Sequence, residues 1–331
     1  MGAVKNLLVL YTGGTIGMLQ TAEGLAPAGG FEARMREYLA GRADAPQVQW
    51  SLRELNPLID SANMQQANWL AMRDAIVEAV EQQGHDGILV LHGTDTLAYS
   101  AAALSFLLLG LPVPVLLTGS MLPAGAPDSD AWDNLIGALK HFEHGLADGV
   151  QLFFHDQLLH GCRVSKLRSE AFDAFTTLPR HREGEGERAT AIPDRLDYRQ
   201  PRVPVNLAVL PVFPGLQAAH LRGLFDSGIQ GLVLECYGSG TGPSDDQALL
   251  DVLQTARQRG VAIVAISQCP EGSVVFDTYA AGSRLRDTGL VSGGGMTREA
   301  ALGKLFALLG AGLDVQAAEQ WFALDLCGER A

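Results

Sequence analysis

The chain has 331 residues, 47% of them hydrophobic, and 37 acidic against 24 basic side chains, for a net charge of -13. That length and apolar content sustain a large core and favour two domains over one. The acidic balance opposes a charge-driven grip on nucleic acid or on an anionic membrane surface. Cys162, Cys236, Cys269 and Cys327 show no C-x-x-C spacing, so neither a zinc knot nor a disulfide framework is expected, and no metal or other cofactor is expected.

In chain order, the first predicted strand spans 6–11. Lys5 ahead of this apolar run imitates a targeting signal, but the run is too short for a secretory h-region and leads into a glycine turn without an A-x-A site. No apolar run reaches the roughly 18 residues of a membrane span. The expected location is cytoplasmic, with no membrane partner. The strand leads into Thr12-Gly13-Gly14-Thr15-Ile16-Gly17. Residues 19–30, rich in Gly and Ala with few large apolar anchors, read as a lid that is mobile without ligand and closes over it.

A helix follows over 66–83, with Trp69, Met72, Ile76 and Val80 on one face, and then a strand over 87–91 leading into His92-Gly93-Thr94-Asp95-Thr96. Next come a helix over 96–109, a strand over 113–118, a helix over 131–143 and a strand over 150–154. Over 179–204 the composition shifts to Arg, Glu, Gly and Pro, which marks an exposed connection. The mixed signs in 180–188 favour a solvated linker over an anion site. A second series holds strands at 206–212, 231–236 and 261–266 and helices at 218–226, 245–259 and 297–309. Within it, 238–242 (G-S-G-T-G) reads as a flexible loop. Short apolar runs alternating with helices are the pattern of a mostly parallel sheet covered by helices, an α/β fold. The expected division is a domain over 1–190, a linker over 191–205 and a domain over 206–331.

In an open α/β sheet, ligands bind beyond the carboxyl ends of the strands. The two threonine segments would therefore bring two hydroxyls and a carboxylate to one crevice. A threonine hydroxyl attacks an amide only when a base takes its proton and donors face the developing oxyanion. Gly13 and Gly14 leave backbone N–H groups bare for close approach. Asp95 suits a substrate ammonium, and Lys166 would serve as a base acting through Thr94 if burial lowers its pKa. Bland alternatives stand beside each. A Gly-Gly turn is commonly only a turn, Thr-Asp ahead of a helix is a good N-cap, and an isolated lysine is nearly always a surface lysine. Residues 13–17 lack the G-x-G-x-x-G spacing and the acidic residue of a dinucleotide site. His141 and His144 have helical spacing without a third ligand, which reads as a solvated helix end and not a metal site.

Together the segments Y-T-G-G-T-I-G-M (11–18), D-S-A-N-M (60–64), L-H-G-T-D-T (91–96), L-T-G-S-M-L-P (117–123), V-S-K (164–166) and S-Q-C-P-E-G (267–272) run in order over nearly the whole chain. This set resembles the bacterial L-asparaginases, and the type I cytoplasmic branch more than the secreted one. The resemblance implies a larger N-terminal parallel-sheet domain, a smaller C-terminal α/β domain, and a homotetramer built as a dimer of intimate dimers. Each site would be completed by the partner's C-terminal domain. Carried over by position, Thr15 is the nucleophile, and Thr94, Asp95 and Lys166 form a second triad. Ser61 takes the carboxylate of L-asparagine and Asp95 its ammonium, with Ala62 and Gly93 also lining the pocket. The N–H groups of Gly14 and Thr94 form the oxyanion hole, and the Ser120 carbonyl orients the leaving amide. The implied reaction passes through a β-aspartyl ester of Thr15.

This chain departs from the family pattern in three places. Leu25 stands where relatives carry a lid tyrosine that accepts the nucleophile's proton, and Tyr279 from the partner's C-terminal domain is the expected substitute. Ala62 replaces a glutamine that grips the ammonium in secreted relatives, which would weaken binding. Glu235 stands where a basic residue would hold an effector near Cys269, so no allosteric site is expected. Two further readings remain open: a glutaminase-asparaginase or another amidase on this scaffold, and a non-catalytic asparagine or aspartate sensor suggested by Leu25. Retention of Thr15, Thr94, Asp95 and Lys166 stands against the sensor.

Overall fold

The run N-L-L-V-L-Y-T-G forms strand β1 (Asn6–Gly13), buried from Leu7 onward, as a strand covered on both faces must be. The computed structural model describes residues 3–22, 24–177 and 188–330, in two units, Met1–Thr177 and Leu178–Ala331. Apart from Arg188, the charged stretch 180–188 lies outside the described residues.

In the first unit, β1 is followed by a short antiparallel hairpin, β2 (Leu19–Thr21) with β3 (Gly24–Ala26), and by helix α1 (Phe31–Ala40). Then come β4 (Gln49–Ile59), α2 (Gln66–Glu81), β5 (Gly87–Leu91), α3 (Leu97–Leu107), β6 (Pro114–Thr118), α4 (Ala131–His144), β7 (Gly149–Phe154) and β8 (Gln157–His160). The six-stranded sheet runs β4-β1-β5-β6-β7-β8, and all its pairings are parallel except β7 with β8. A small antiparallel pair, β9 (Val164–Lys166) with β10 (Phe175–Thr177), follows. Helix α3, built from Ala, Ser, Leu and Phe apart from Tyr99, is buried at every other position, which fits a helix that is apolar nearly all round.

The predicted strands at 87–91, 113–118 and 150–154 and the helices between them are present within a residue or two, with Thr96, the first residue of the helix predicted over 96–109, ending a 3-10 segment, Thr94–Thr96. The 19–30 segment, expected as a lid, carries the β2–β3 hairpin and is tied at both ends. Arg34 Nη2 donates to the Gly17 carbonyl (3.0 Å), Tyr11 Oη to the Ala28 carbonyl (3.1 Å), and the Gly30 N–H to Glu54 Oε1 (2.8 Å). Burial pushes the Tyr11 hydroxyl up to about 12 against the pull of the Arg34 charge, so it stays protonated and keeps donating to Ala28.

The second unit carries a parallel sheet ordered β11 (Leu207–Pro211), β12 (Gly231–Cys236), β13 (Ala262–Ser267), β14 (Val291–Ser292). Its helices are α5 (Ala218–Asp226), α6 (Gln247–Gln258), α7 (Ala280–Asp287), α8 (Arg298–Gly310) and α9 (Val315–Ala323). Leu232, Leu234, Leu253, Ile263 and Leu285 centre its core. The 238–242 loop forms a hydrogen-bonded turn. Tyr237 bridges Thr241, Gly240 N–H donates to the Tyr237 carbonyl (2.9 Å), and Val275 N–H donates to the Ser239 carbonyl (2.9 Å). Its glycines supply the positive φ angles that this turn needs, 38° at Gly238 and 103° at Gly240.

The tail of this unit is held by a fully buried ion pair. Lys304 Nζ lies 2.5 Å from Glu329 Oε1 and also donates to the carbonyls of Phe322 (3.0 Å) and Leu324. Glu329 in turn accepts the N–H groups of Leu326 (2.9 Å) and Cys327 (2.8 Å).

Candidate active site

Register explains why distant sequence segments meet. On adjacent parallel strands Tyr11 pairs with Leu91, Leu91 with Thr118, and Gly13 with Ile59. The chain therefore leaves β1, β5, β6 and β4 at the same edge of the sheet, delivering Thr15, Thr94-Asp95, Ser120 and Ser61 side by side. Thr12 Oγ1 donates to the Leu91 carbonyl (2.9 Å), and the His92 N–H donates to the Thr118 carbonyl (2.9 Å), which tie the emerging loops together.

These loops touch backbone to backbone. A Cβ on Gly14 would overlap the backbone of Gly93, one on Gly93 would overlap the Ser61 side chain, and one on Gly119 would overlap the His92 carbonyl. Gly14 also has φ +82°, a conformation that side chains resist. Thr15 opens the 3-10 turn Thr15–Gly17 and is half-buried. The Gly14 N–H, expected in the oxyanion hole, here donates to the Ile59 carbonyl at 3.2 Å.

Lys166 comes from β9, whose pairing with β10 sets Lys166 opposite Phe175. Its Nζ donates to Thr94 Oγ1 (3.0 Å) and to Asp95 Oδ1 (2.9 Å). Thr94 is buried, Lys166 half-buried and Asp95 exposed. Three residues separated by up to 72 positions thus form one hydrogen-bonded group. The capping alternative is not what the fold uses. The N-cap of α3 is Thr96, which makes no side-chain cap bond, and its Oγ1 donates instead to the Ser61 carbonyl (2.9 Å).

Ser61 is buried at the head of the 3-10 turn Ser61–Asn63, capped by Asp60 Oδ1 accepting the Ala62 N–H (3.2 Å), while Ala62 is exposed. Ser120 is buried and its Oγ donates to the Leu122 carbonyl at 2.5 Å. Two residues not singled out in the sequence hold that loop. The Asp130 carboxylate accepts the N–H groups of Met121 (2.9 Å) and Leu122 (3.1 Å), and Asn134 Nδ2 donates to the Gly119 carbonyl (3.0 Å). The signal was available as an acid and an amide four apart at the start of a predicted helix.

Leu25 is 49% exposed on β3. Tyr279, at the start of α7 in the second unit, is 62% exposed. Glu235 is buried at the end of β12, and its carboxylate takes both Nε (2.7 Å) and Nη2 (2.8 Å) of Arg298. Its charge is thus answered from within the unit. Cys269 is exposed. His141 leans on the Phe153 ring (centroids 5.1 Å apart) at the end of α4.

Residues 6–191 match the family model described as Asparaginase, N-terminal, and residues 206–322 match that described as Glutaminase/Asparaginase C-terminal domain. The chain is 33% identical to L-asparaginase 1 of Escherichia coli (strain K12), over 98% of each chain. Among solved structures it is similar to the thermostable L-asparaginase from Thermococcus kodakarensis, with TM-score 0.84, 32% identity and coverage of 98% of this chain and 99% of that one. L-asparaginase I from Vibrio cholerae gives TM-score 0.83 and 31% identity, over 99% of this chain and 100% of that one.

Proposed function

The chain belongs to the asparaginase family, and from that premise we propose that it hydrolyses the side-chain amide of L-asparagine, with Thr15 as nucleophile, to L-aspartate and ammonia. The observation that carries this reading is the Lys166–Thr94–Asp95 group standing at the same sheet edge as Thr15. Thr15 Oγ bonds to the amide carbon, its proton goes to a base, and the carbonyl electron pair moves onto oxygen. Collapse expels the nitrogen, protonated, as ammonia. Water, relieved of a proton through Thr94 and Lys166, then cleaves the β-aspartyl ester and frees Thr15. Ser61 and Asp95 hold the carboxylate and ammonium of the substrate, Ala62 and Gly93 line the pocket, the Ser120 carbonyl orients the leaving amide, and the N–H groups of Gly14 and Thr94 face the oxyanion. For that, the Gly14 N–H must leave the Ile59 carbonyl when substrate arrives. The assembly is a homotetramer acting in the cytoplasm, in which Tyr279 of a second copy takes the Thr15 proton, a task that Leu25 cannot perform.

A second reading, hydrolysis of glutamine as well, is favoured by the C-terminal match to a glutaminase/asparaginase model and by the small side chain of Ala62. Coupled ammonia release from each amino acid separates the two. Asparagine is expected to lead by about tenfold or more, the discrimination that one methylene supports; equal rates establish the second reading, and silence toward both overturns the proposal. In the same assay Tyr279→Phe is expected to lower kcat, and an unchanged kcat removes Tyr279 from the mechanism. Aspartate is also expected to protect residues 19–30 from limited proteolysis, because closure buries the lid; equal cleavage with and without aspartate counts against closure.

A further inference from the structure

Behind Gly93 three buried side chains form a hydrogen-bond chain with a fixed direction. Trp69 Nε1 donates to Ser100 Oγ (2.9 Å), Ser100 Oγ lies 2.8 Å from His92 Nε2, and His92 Nδ1 lies 2.7 Å from the Gly93 carbonyl. An indole N–H can only donate and a carbonyl can only accept, so both ends set the polarity. Ser100 turns its proton to Nε2, and the ring carries its own proton on Nδ1, donated to Gly93. Burial pushes His92 down to about 4, partly offset by the bond to Gly93, so the ring is neutral at the pH of the reaction.

The Gly93 carbonyl and the Thr94 N–H belong to one peptide unit, and the unit is trans. In a trans peptide these two groups point in opposite directions. Drawing the carbonyl onto the buried ring therefore turns the Thr94 N–H away from it. Glycine itself imposes little on this peptide plane, and the His92 ring gives its carbonyl a fixed partner. A carbonyl that accepts a bond also makes the N–H of its own unit a stronger donor.

We propose that His92, held by Ser100 and Trp69, is a positioning residue that aims the Thr94 N–H at the oxyanion formed during amide hydrolysis. This rests on the function given above. The same chain makes Ser100, on α3, and Trp69, on α2, outlying members of the site, although neither touches substrate.

The test uses the full chain and its variants His92→Leu, His92→Asn and Ser100→Ala, with kcat and KM for asparagine, aspartate affinity by calorimetry, and ring tautomer by 15N-histidine NMR. His92→Leu is expected to lower kcat about 100-fold, the scale of losing one oxyanion donor. KM and aspartate affinity are expected to stay within about threefold, since neither involves the oxyanion. His92→Asn places Nδ2 near the position of Nδ1 and is expected to recover about tenfold of the lost kcat. Wild-type His92 is expected to show the Nδ1–H tautomer. An unchanged kcat in His92→Leu, an equal loss of aspartate affinity, no recovery of kcat in His92→Asn, or an Nε2–H tautomer each overturns the proposal. If His92→Leu fails to fold, Ser100→Ala carries the same split between kcat and KM. The tautomer is read without turnover, so an inactive wild type that keeps Nδ1–H removes the enzymatic reading and the role in it together, while an active wild type with Nε2–H removes only the role of His92.

Discussion

Thr15→Ala is expected to abolish ammonia release from asparagine, lowering kcat by about 10⁴-fold, as loss of a covalent nucleophile does. No neighbouring hydroxyl on β1 can substitute: Thr12 is buried, and its Oγ1 is committed to the Leu91 carbonyl. Thr15 lies on a 3-10 turn whose backbone bonds, Gly17 N–H to Gly14 and Met18 N–H to Thr15, do not involve the hydroxyl, so the fold and aspartate binding are expected to survive. Lys166→Met is the companion variant. It keeps an unbranched stem of similar length but removes the amine that bonds Thr94 and Asp95, and a kcat lower by about 10² to 10³ is expected. Both are read by the coupled ammonia assay, with thermal melting as the control for folding. A Thr15→Ala chain that keeps more than about 1% of wild-type kcat would shift the nucleophile elsewhere, with Thr94 first in line.

The second large effect concerns stability and is centred on the Lys304–Glu329 pair. Lys304→Met is expected to cost about 3–5 kcal/mol, because it strands a buried carboxylate. Burial alone would push the Glu329 pKa up, but the Lys304 charge and the hydrogen bonds from Lys304, Cys327 and Leu326 outweigh it and bring it to about 2 from an ordinary 4.5. A carboxylate depressed in the folded state gives its full stabilisation above its unfolded pKa and loses it as pH falls through its folded pKa. The wild-type urea midpoint is therefore expected to lose this contribution between about pH 4.5 and pH 2. Lys304→Met is expected to show the deficit already at pH 7. Adding Glu329→Gln to Lys304→Met is expected to restore part of the loss, since the stranded charge is gone. A single-variant loss under about 1 kcal/mol would reduce the pair to the value of a surface contact.

Elements buried on both faces were the most legible in the sequence. Strands β5 and β12 have the bounds expected from their residues, because a continuous apolar run between turn signals admits few other readings. Strand β4 was not read at all. Its sequence Q-W-S-L-R-E-L-N-P-L-I interleaves charges and contains Pro57, as an edge strand paired only with β1 can afford to do. Helices α7 and α9 were also missed. They are short and carry narrow apolar stripes, although Asp314 accepting the Ala317 N–H gave α9 a local start signal. For the site, the strand ends and their threonines were legible as positions in an α/β sheet. The pairing of Lys166 with Thr94 was legible only as a chemical need for a base, since spacing says nothing about partners 72 residues apart; the family resemblance added the triad. The roles of His92 and Ser100 depend on a contact between the loop after β5 and helix α3, and those of Asp130 and Asn134 on the 119–122 loop that they reach; spacing shows neither partner.

The backbone contacts among Gly14, Gly93 and Gly119 bear on any effort to retune this catalyst. Random mutagenesis would waste most of its hits there, because a single added carbon at any of the three meets main chain or the Ser61 side chain and displaces several reacting groups at once. Libraries seeking a new amide preference have room instead at Leu25 and Ala62, which are exposed. At those positions bulk and polarity can be varied while the inner scaffold stays as it is.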